Sequence, residues 1–213
     1  MQPEQDPMAS HSSSAYAGIL LAAGRGSRFD PAGRQNKLLQ LLADGETVVA
    51  HAAMNLRAAL CHTLAVIPAG SPLLTTHLSS KGIAVSKCLD AASGMAASLT
   101  HGLRQTHDAL GWVIALGDMP FVKADTIHRL IEALRQGADI AVPCYHGQRG
   151  NPVAFSRRHL DRLLQLSGDA GARQLLQAYP LQEIEVDDPG ICRDIDTVDD
   201  LRNCRDKKEN VHA

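Results

Sequence analysis

The sequence predicts a three-layer α/β fold, a mostly parallel sheet with helices packed on both faces. Three observations predict it. Short apolar runs of strand length recur at Ile19–Leu21, Leu64–Pro68, Trp112–Leu116 and Ile140–Pro143, and strands buried on both faces read as such runs rather than as alternation. Between them lie stretches with apolar residues at helical spacing, the strand–helix alternation of a doubly covered sheet. Two of the runs pass directly into small or acidic residues, at Ala22–Gly24 and at Gly117-Asp118. Ligands in such folds sit beyond the carboxyl ends of the strands, so both turns are expected on one edge.

The elements follow in order. After the first strand, residues 47–60 carry the first helix, and 64–68 the second strand, which ends at Pro68. A short helix around Leu73–Leu78 leads to a weaker strand over Gly82–Lys87. Ser93 is placed to cap the next helix, in which Leu99 and Leu103 stand four apart. The 112–116 strand is followed by a helix whose buried face is Ile127, Leu130, Ile131 and Leu134. Strand 140–143, a polar loop over His146–Asn151 and a strand over Pro152–Phe155 come next. Helices around Leu160–Leu164 and Ala172–Tyr179, strands over 182–186 and 192–195, and a helix over Val198–Arg205 complete the chain. Thr197-x-x-Asp200 reads as a capping box with Asp in place of Glu.

The loop after the first strand, Gly24-Arg25-Gly26-Ser27-Arg28-Phe29, has the chemistry of a polyphosphate cradle. Gly24 and Gly26 can adopt positive φ and let a ligand approach the backbone. Exposed N–H groups in such a loop attract anions, and Arg25, Arg28 and Lys37 add full positive charges suited to phosphate oxygens. A dinucleotide fingerprint is excluded because Phe29 stands where the third glycine belongs, and no Gly-Lys-Ser/Thr P-loop exists. The plainer alternative is a surface turn with scattered basic residues.

Composition narrows the function classes. The 213 residues suffice for one domain with a substantial core: residues 1–15 are expected as a disordered leader, 16–204 as a single domain and 205–213 as a charged tail. Aromatic residues are only 3% and the net charge is −2. The chain therefore lacks both stacking platforms and global attraction for nucleic acid, and no nucleic acid partner is expected. Residues 1–14 are polar with no apolar run, so neither a signal peptide nor a membrane partner is expected, and the protein is read as cytoplasmic. The five cysteines show no Cys-x-x-Cys spacing and are read mainly as small core residues in a reducing compartment.

Asp118, at the end of a buried strand beside Gly117 and Pro120, suits Mg²⁺ shared with nucleotide phosphates, because the ion takes hard oxygen ligands and needs only one or two carboxylates. A second carboxylate is available in Arg193-Asp194-Ile195-Asp196. On a strand Asp194 and Asp196 would share a face, and Asp196 is nearer the strand end. In the plainer alternative these are a turn aspartate, a salt-bridge partner and a second turn residue.

These residues carry a family resemblance. Leu21-Ala22-Ala23-Gly24-Arg25-Gly26-Ser27-Arg28-Phe29 followed by Lys37 resembles the signature loop of nucleotidyltransferases, and Gly117-Asp118-Met119-Pro120 resembles their metal-binding turn. Gly94-Met95-Ala96-Ala97-Ser98, Arg149-Gly150-Asn151-Pro152-Val153, Gly168-Asp169-Ala170-Gly171-Ala172-Arg173 and Asp194-Ile195-Asp196-Thr197 are similar to the molybdenum cofactor cytidylyltransferase branch. The likeness runs from about Gly18 to Leu201. Two departures stand out: Asp30–Gln35 is inserted between Phe29 and Lys37, and Asn151 stands where relatives often carry histidine.

The resemblance implies a Rossmann-like fold of the nucleotide-diphospho-sugar transferase type. It implies transfer of CMP from CTP to the terminal phosphate of a molybdopterin-type molybdenum cofactor, with a molybdoenzyme as recipient of the product. The Ala22-Ala23 pair resembles the cytidylyl branch more than the guanylyl one. GTP, or a sugar or polyol phosphate acceptor, is the alternative specificity; a nicotinamide-dependent oxidoreductase and a non-catalytic cofactor chaperone are the rivals from other classes. The implied catalytic residues are Arg28, Lys37 and Asp118, with Mg²⁺ on Asp118 and Asp196. Leu21, Ala22, Ala23, Gly24, Arg25, Gly26, Gly94 and Ser98 would join Arg28 and Lys37 around the nucleotide, and Gln148, Arg149, Asn151 and Arg173 would line the acceptor side.

Overall fold

One continuous sheet runs through the molecule between two layers of helices. The computed structural model describes residues 15–24, 26–169 and 171–206. In chain order these form β1 (Ala17–Leu21), α1 (Val48–Ala59), β2 (His62–Pro68), α2 (Pro72–Ser80), β3 (Ala84–Cys88), α3 (Met95–Gln105), β4 (Gly111–Leu116) and α4 (Ala124–Arg135). Then follow β5 (Ile140–Tyr145), β6 (Gln148–Arg149), β7 (Val153–Ser156), α5 (Leu160–Leu164), α6 (Arg173–Ala178), β8 (Gln182–Glu185) and α7 (Val198–Asp206). The strand order is β3-β2-β1-β4-β7-β5-β6, with β8 also paired to β5.

The β3-β2-β1-β4 half is parallel throughout. The other half is mixed: β7 lies antiparallel between β4 and β5, β6 turns back on β5, and β8 runs parallel to β5. The sheet is thus mixed rather than uniformly parallel, within the expected α/β three-layer class. A parallel neighbour needs a long crossover, usually a helix, whereas β7 follows β5 through the short β6 turn, which returns the chain antiparallel.

The two faces bury separate cores. Leu20, Ala65, Ile67 and Val113 point to one layer and meet Leu56 of α1, Leu78 of α2 and Leu130 of α4. Ile19, Leu21, Trp112 and Ile114 point the other way and meet Leu99 and Leu103 of α3 and Leu163 of α5. Neighbouring strand residues face opposite layers, so both sides of a short apolar run are used. The four residues predicted for the inner face of α4 are all buried.

Local chemistry sets the helix ends. Thr47 caps α1 by accepting from the Ala50 N–H (3.3 Å). The capping box at α7 is reciprocal: the Thr197 N–H donates to Asp200 Oδ2 (2.7 Å), and the Asp200 N–H donates to Thr197 Oγ1 (3.1 Å). Ser93 does not cap α3. It closes a 3-10 turn over Ala91–Ser93, and Gly94, at φ +116°, takes the N-cap position instead, a conformation that disfavours any residue with a Cβ.

Residues 192–195 are not a strand. Pro189–Cys192 forms a 3-10 turn, and the chain continues irregularly to Thr197. Ile191 and Ile195 are apolar because each is fully buried, Ile195 in a small cluster with Phe29, Leu42, Val48 and Leu201. All five cysteines are free, as expected, but only Cys88 and Cys144 are core residues; Cys61 is exposed and Cys192 and Cys204 lie between. Among the described residues no helix is long and apolar enough to cross a membrane.

Candidate active site

The carboxyl ends of β1 and β4 build the site. Leu21 pairs with Leu116 across the two strands. Beyond that pair the Gly117 N–H donates to the Leu21 carbonyl (2.9 Å), and the Ala22 N–H donates to Val66 O (2.9 Å). The ladder thus continues past the strand ends and fixes Ala22–Gly24 beside Gly117-Asp118. Asn55 of α1 donates from Nδ2 to the Pro120 carbonyl (3.0 Å), which holds the turn that presents Asp118.

The stretch before Lys37 is folded by one side chain. The Asp30 carboxylate accepts from the backbone N–H groups of Ala32 (2.9 Å), Arg34 (2.7 Å) and Gln35 (2.8 Å). Asn36 then caps a 3-10 turn over Lys37–Leu39 by accepting from the Leu38 N–H (2.9 Å). That turn directs Lys37 inward, where it is 7% exposed. Gly26, at φ +61°, lies against the Lys37 side-chain stem. Gly24 does not take positive φ; it lines the cleft with open space at its Cβ position.

Lys37 is the hub. Its Nζ donates to Asp118 Oδ2 at 2.6 Å and to Asp196 Oδ1 at 2.7 Å. The other Asp196 oxygen accepts from the Arg28 guanidinium. Burial works against the Lys37 charge, but the Asp118 field and the bonds to both carboxylates outweigh it and hold the ammonium above its ordinary pKa. Desolvation, then the charges of Asp196 and Asp118, raise the Asp194 carboxyl, which therefore lies within the field of the same cluster.

Asp196 reaches this place without a strand. The Ile195 N–H donates to the Asp118 carbonyl (2.9 Å), while the Ile195 side chain packs with Phe29. The neighbours of these two apolar residues, Arg28 and Asp196, are thereby brought face to face. Arg28 and Asp118 accordingly lie on one rim of the sheet and share one ion cluster.

Two clefts open there and share the wall formed by Leu21, Met95 and Leu116. The first, of about 390 Å³, is lined by Leu21–Gly24, Lys37, Asp118, Gly94, Ser98 and Asp169. The second, of about 360 Å³, has an apolar floor with Arg149, Asn151 and Arg173 at its walls. Gln148 is exposed on β6 and lines neither cleft; the structure does not bring it to the site. Arg149 donates from Nε to Glu183 Oε1 (2.8 Å). Arg25 lies outside the described residues.

Reading the residues one by one missed Met95 and Asp169, although both fall inside stretches that carried the resemblance. Asp169 comes to the first cleft because the Ala96 N–H donates to Gly168 O (3.1 Å), which draws the 168–169 loop onto the start of α3.

The two carboxylates fit a divalent ion. One oxygen from each lies within 2.7 Å of a single nitrogen position, so both can converge on one cation, and carboxylate oxygens are the hard donors that Mg²⁺ or Mn²⁺ takes. Among the described residues no group of three or more metal-binding side chains occurs. Further ligands would come from phosphate oxygens and water, the usual arrangement where Mg²⁺ is shared with a nucleotide.

The family profile described as the MobA-like NTP transferase domain matches residues 18–184. The chain belongs to the MobA-like NTP transferase family. It is therefore a nucleotidyltransferase. It is 30% identical over 197 residues to a nicotine blue oxidoreductase of Paenarthrobacter nicotinovorans, covering 86% of this chain and 93% of that protein. It is 30% identical over 195 residues to a molybdenum cofactor guanylyltransferase of Cupriavidus pinatubonensis, covering 87% and 94%. Among solved structures, Rv0371c of Mycobacterium tuberculosis superposes with a TM-score of 0.77 at 28% identity, covering 91% of this chain and 98% of that one. The manganese complex of Rv0371c superposes at 0.74 with 28% identity, covering 91% and 99%.

Proposed function

We propose that the enzyme transfers CMP from CTP to the terminal phosphate of a molybdopterin-type molybdenum cofactor. An acceptor phosphate oxygen bonds to the α-phosphorus of CTP, the bond from that phosphorus to the bridging oxygen breaks, and pyrophosphate leaves. The cytosine dinucleotide form of the cofactor would then pass to a molybdoenzyme. The incoming oxygen already carries charge, so no protein nucleophile is required, and the work left to the chain is positioning and charge neutralisation.

Lys37 is assigned to the α-phosphate, and Arg28 with the loop N–H groups to the β- and γ-phosphates. Gly94 and Ser98 are assigned to the ribose and base, and Arg149, Asn151 and Arg173 to the acceptor. Mg²⁺ held by Asp118 and Asp196 would offset the charge that grows on the leaving pyrophosphate. The observation that carries the reading is the shared wall of the two clefts. A triphosphate over the ion cluster and a phosphorylated acceptor between Arg149 and Arg173 would approach each other there. The Ala22-Ala23 pair, which lines the first cleft and resembles the cytidylyl branch more than the guanylyl one, supports the pyrimidine.

The guanylyltransferase relative favours a second reading in which GTP is the donor. The oxidoreductase relative suggests a test for hydride chemistry. The deciding experiment incubates the protein with each nucleoside triphosphate, Mg²⁺ and the molybdopterin cofactor, measuring pyrophosphate and the dinucleotide product. CTP is expected to give the highest kcat/KM. Preference for GTP would establish the second reading, and NAD(P)H oxidation without pyrophosphate release would overturn both.

A further inference from the structure

Both cationic side chains assigned to the triphosphate are paired with carboxylates assigned to the metal. Lys37 joins Asp118 and Asp196 at 2.6 and 2.7 Å, and Arg28 holds the second oxygen of Asp196. Two cations and two carboxylates make this cluster neutral. The ammonium nitrogen occupies the point on which the two carboxylate oxygens converge, the point a divalent ion would take. Lys37 is buried, so its charge cannot simply turn into solvent while an ion enters. Bringing two further positive charges beside it is opposed by a repulsion that a low-dielectric site screens poorly.

We propose that Lys37 is an internal stand-in for the metal, and that nucleotide and metal load by an exchange of partners. The triphosphate takes Lys37 and Arg28 away from the carboxylates, and the carboxylates so released take the divalent ion. Before exchange the four protein charges cancel among themselves; afterwards the two carboxylates are balanced by the divalent ion, and the two cations offset part of the triphosphate's larger negative charge. The exchange makes metal and triphosphate bind cooperatively and keeps the site from filling with metal alone. The proposal rests on the reading of Asp118 and Asp196 as metal ligands.

The test measures Mn²⁺ binding by electron paramagnetic resonance and titration calorimetry, without turnover. For the wild type without nucleotide, weak binding is expected. Lys37→Gln removes the stand-in and leaves two facing carboxylates, so nucleotide-free Mn²⁺ affinity should rise roughly tenfold or more, and Mn²⁺ should raise its melting temperature well beyond the effect on wild type. Arg28→Gln should give a smaller rise, because Arg28 touches only Asp196 and is mostly exposed. Adding Asp118→Asn to Lys37→Gln should remove the gain. Lys37→Gln binding Mn²⁺ no more tightly than wild type would overturn the exchange. The underlying metal reading is checked apart from this with a non-hydrolysable CTP analogue. Asp118→Asn and Asp196→Asn should then weaken Mn²⁺ binding, and unchanged binding in both would remove these residues as ligands.

Discussion

Replacing Gly94 by alanine should damage the nucleotide cleft and the fold together, by an amount the geometry sets. Gly94 lies at φ +116° and ψ 173°, a region nearly closed to residues with a Cβ, where strain is about 1–3 kcal/mol. An added Cβ would stand 2.5 Å from Asp169 Oδ1 and 2.6 Å from the Gly168 carbonyl oxygen. The Asp169 side chain can rotate away. The Gly168 carbonyl cannot, because it is backbone and accepts from the Ala96 N–H. Losing that bond removes about another 1 kcal/mol. The total is about 2–4 kcal/mol, and for a domain of this size each kcal/mol lowers the melting temperature by about 2–4 °C. A calorimetric melt of Gly94→Ala should therefore fall by about 4–16 °C. The KM for nucleotide should rise with it, since Gly94 and Asp169 both line the first cleft. A melting temperature within about 2 °C of wild type, with unchanged KM, would refute the argument.

Two further perturbations probe the scaffold. Asp188 is 1% exposed and accepts from the Lys123 N–H (2.8 Å), Thr126 Oγ1 (2.7 Å) and the Gly190 N–H (2.9 Å). Asp188→Ala strands three donors and should cost about 3–5 kcal/mol in urea unfolding; a loss under about 1 kcal/mol would mean that water replaces the carboxylate. His159 is buried, and its Nδ1 has no partner. Burial, with Arg162 and Arg158, lowers its pKa against the opposing pull of Asp139. The unfolded chain therefore takes up the proton first as pH falls below the ordinary histidine value of about 6.5, and this contribution, present at neutral pH, is lost on acidification. Between pH 7.5 and 5.5 the urea midpoint of wild type should fall further than that of His159→Phe, and parallel falls would show that His159 is not the group responsible.

Much of the fold was legible because buried strands and amphipathic helices leave distinct patterns, as in Trp112–Leu116 and in α4. The direction of β7 was not: Val153–Phe155 has the same apolar run whichever way it pairs. The segment 192–195 misled because Ile191 and Ile195 are buried outside any strand, Ile195 in a local cluster under Phe29. Asp196 nevertheless arrives beside Asp118, because Ile195 bonds the Asp118 backbone rather than because Asp194 and Asp196 share a strand face. Lys37 and Asp118 were each legible as candidates from their loops. Their direct pairing was not, since 81 residues separate them and an ion pair leaves no local trace in sequence. Gln148 lies next to Arg149 on β6, yet neighbours on a strand face opposite sides, and only Arg149 lines the second cleft.

Transfer of label from α-³²P-CTP to the molybdopterin acceptor, with matched pyrophosphate release, tests the central claim most directly when wild type and Asp118→Asn are compared. Wild type should yield equal amounts of labelled dinucleotide and pyrophosphate. Asp118→Asn, with its strand and turn intact, should melt as a folded protein yet lose roughly a hundredfold or more in turnover. Full turnover by Asp118→Asn, or no pyrophosphate from wild type with any nucleoside triphosphate, would contradict the account.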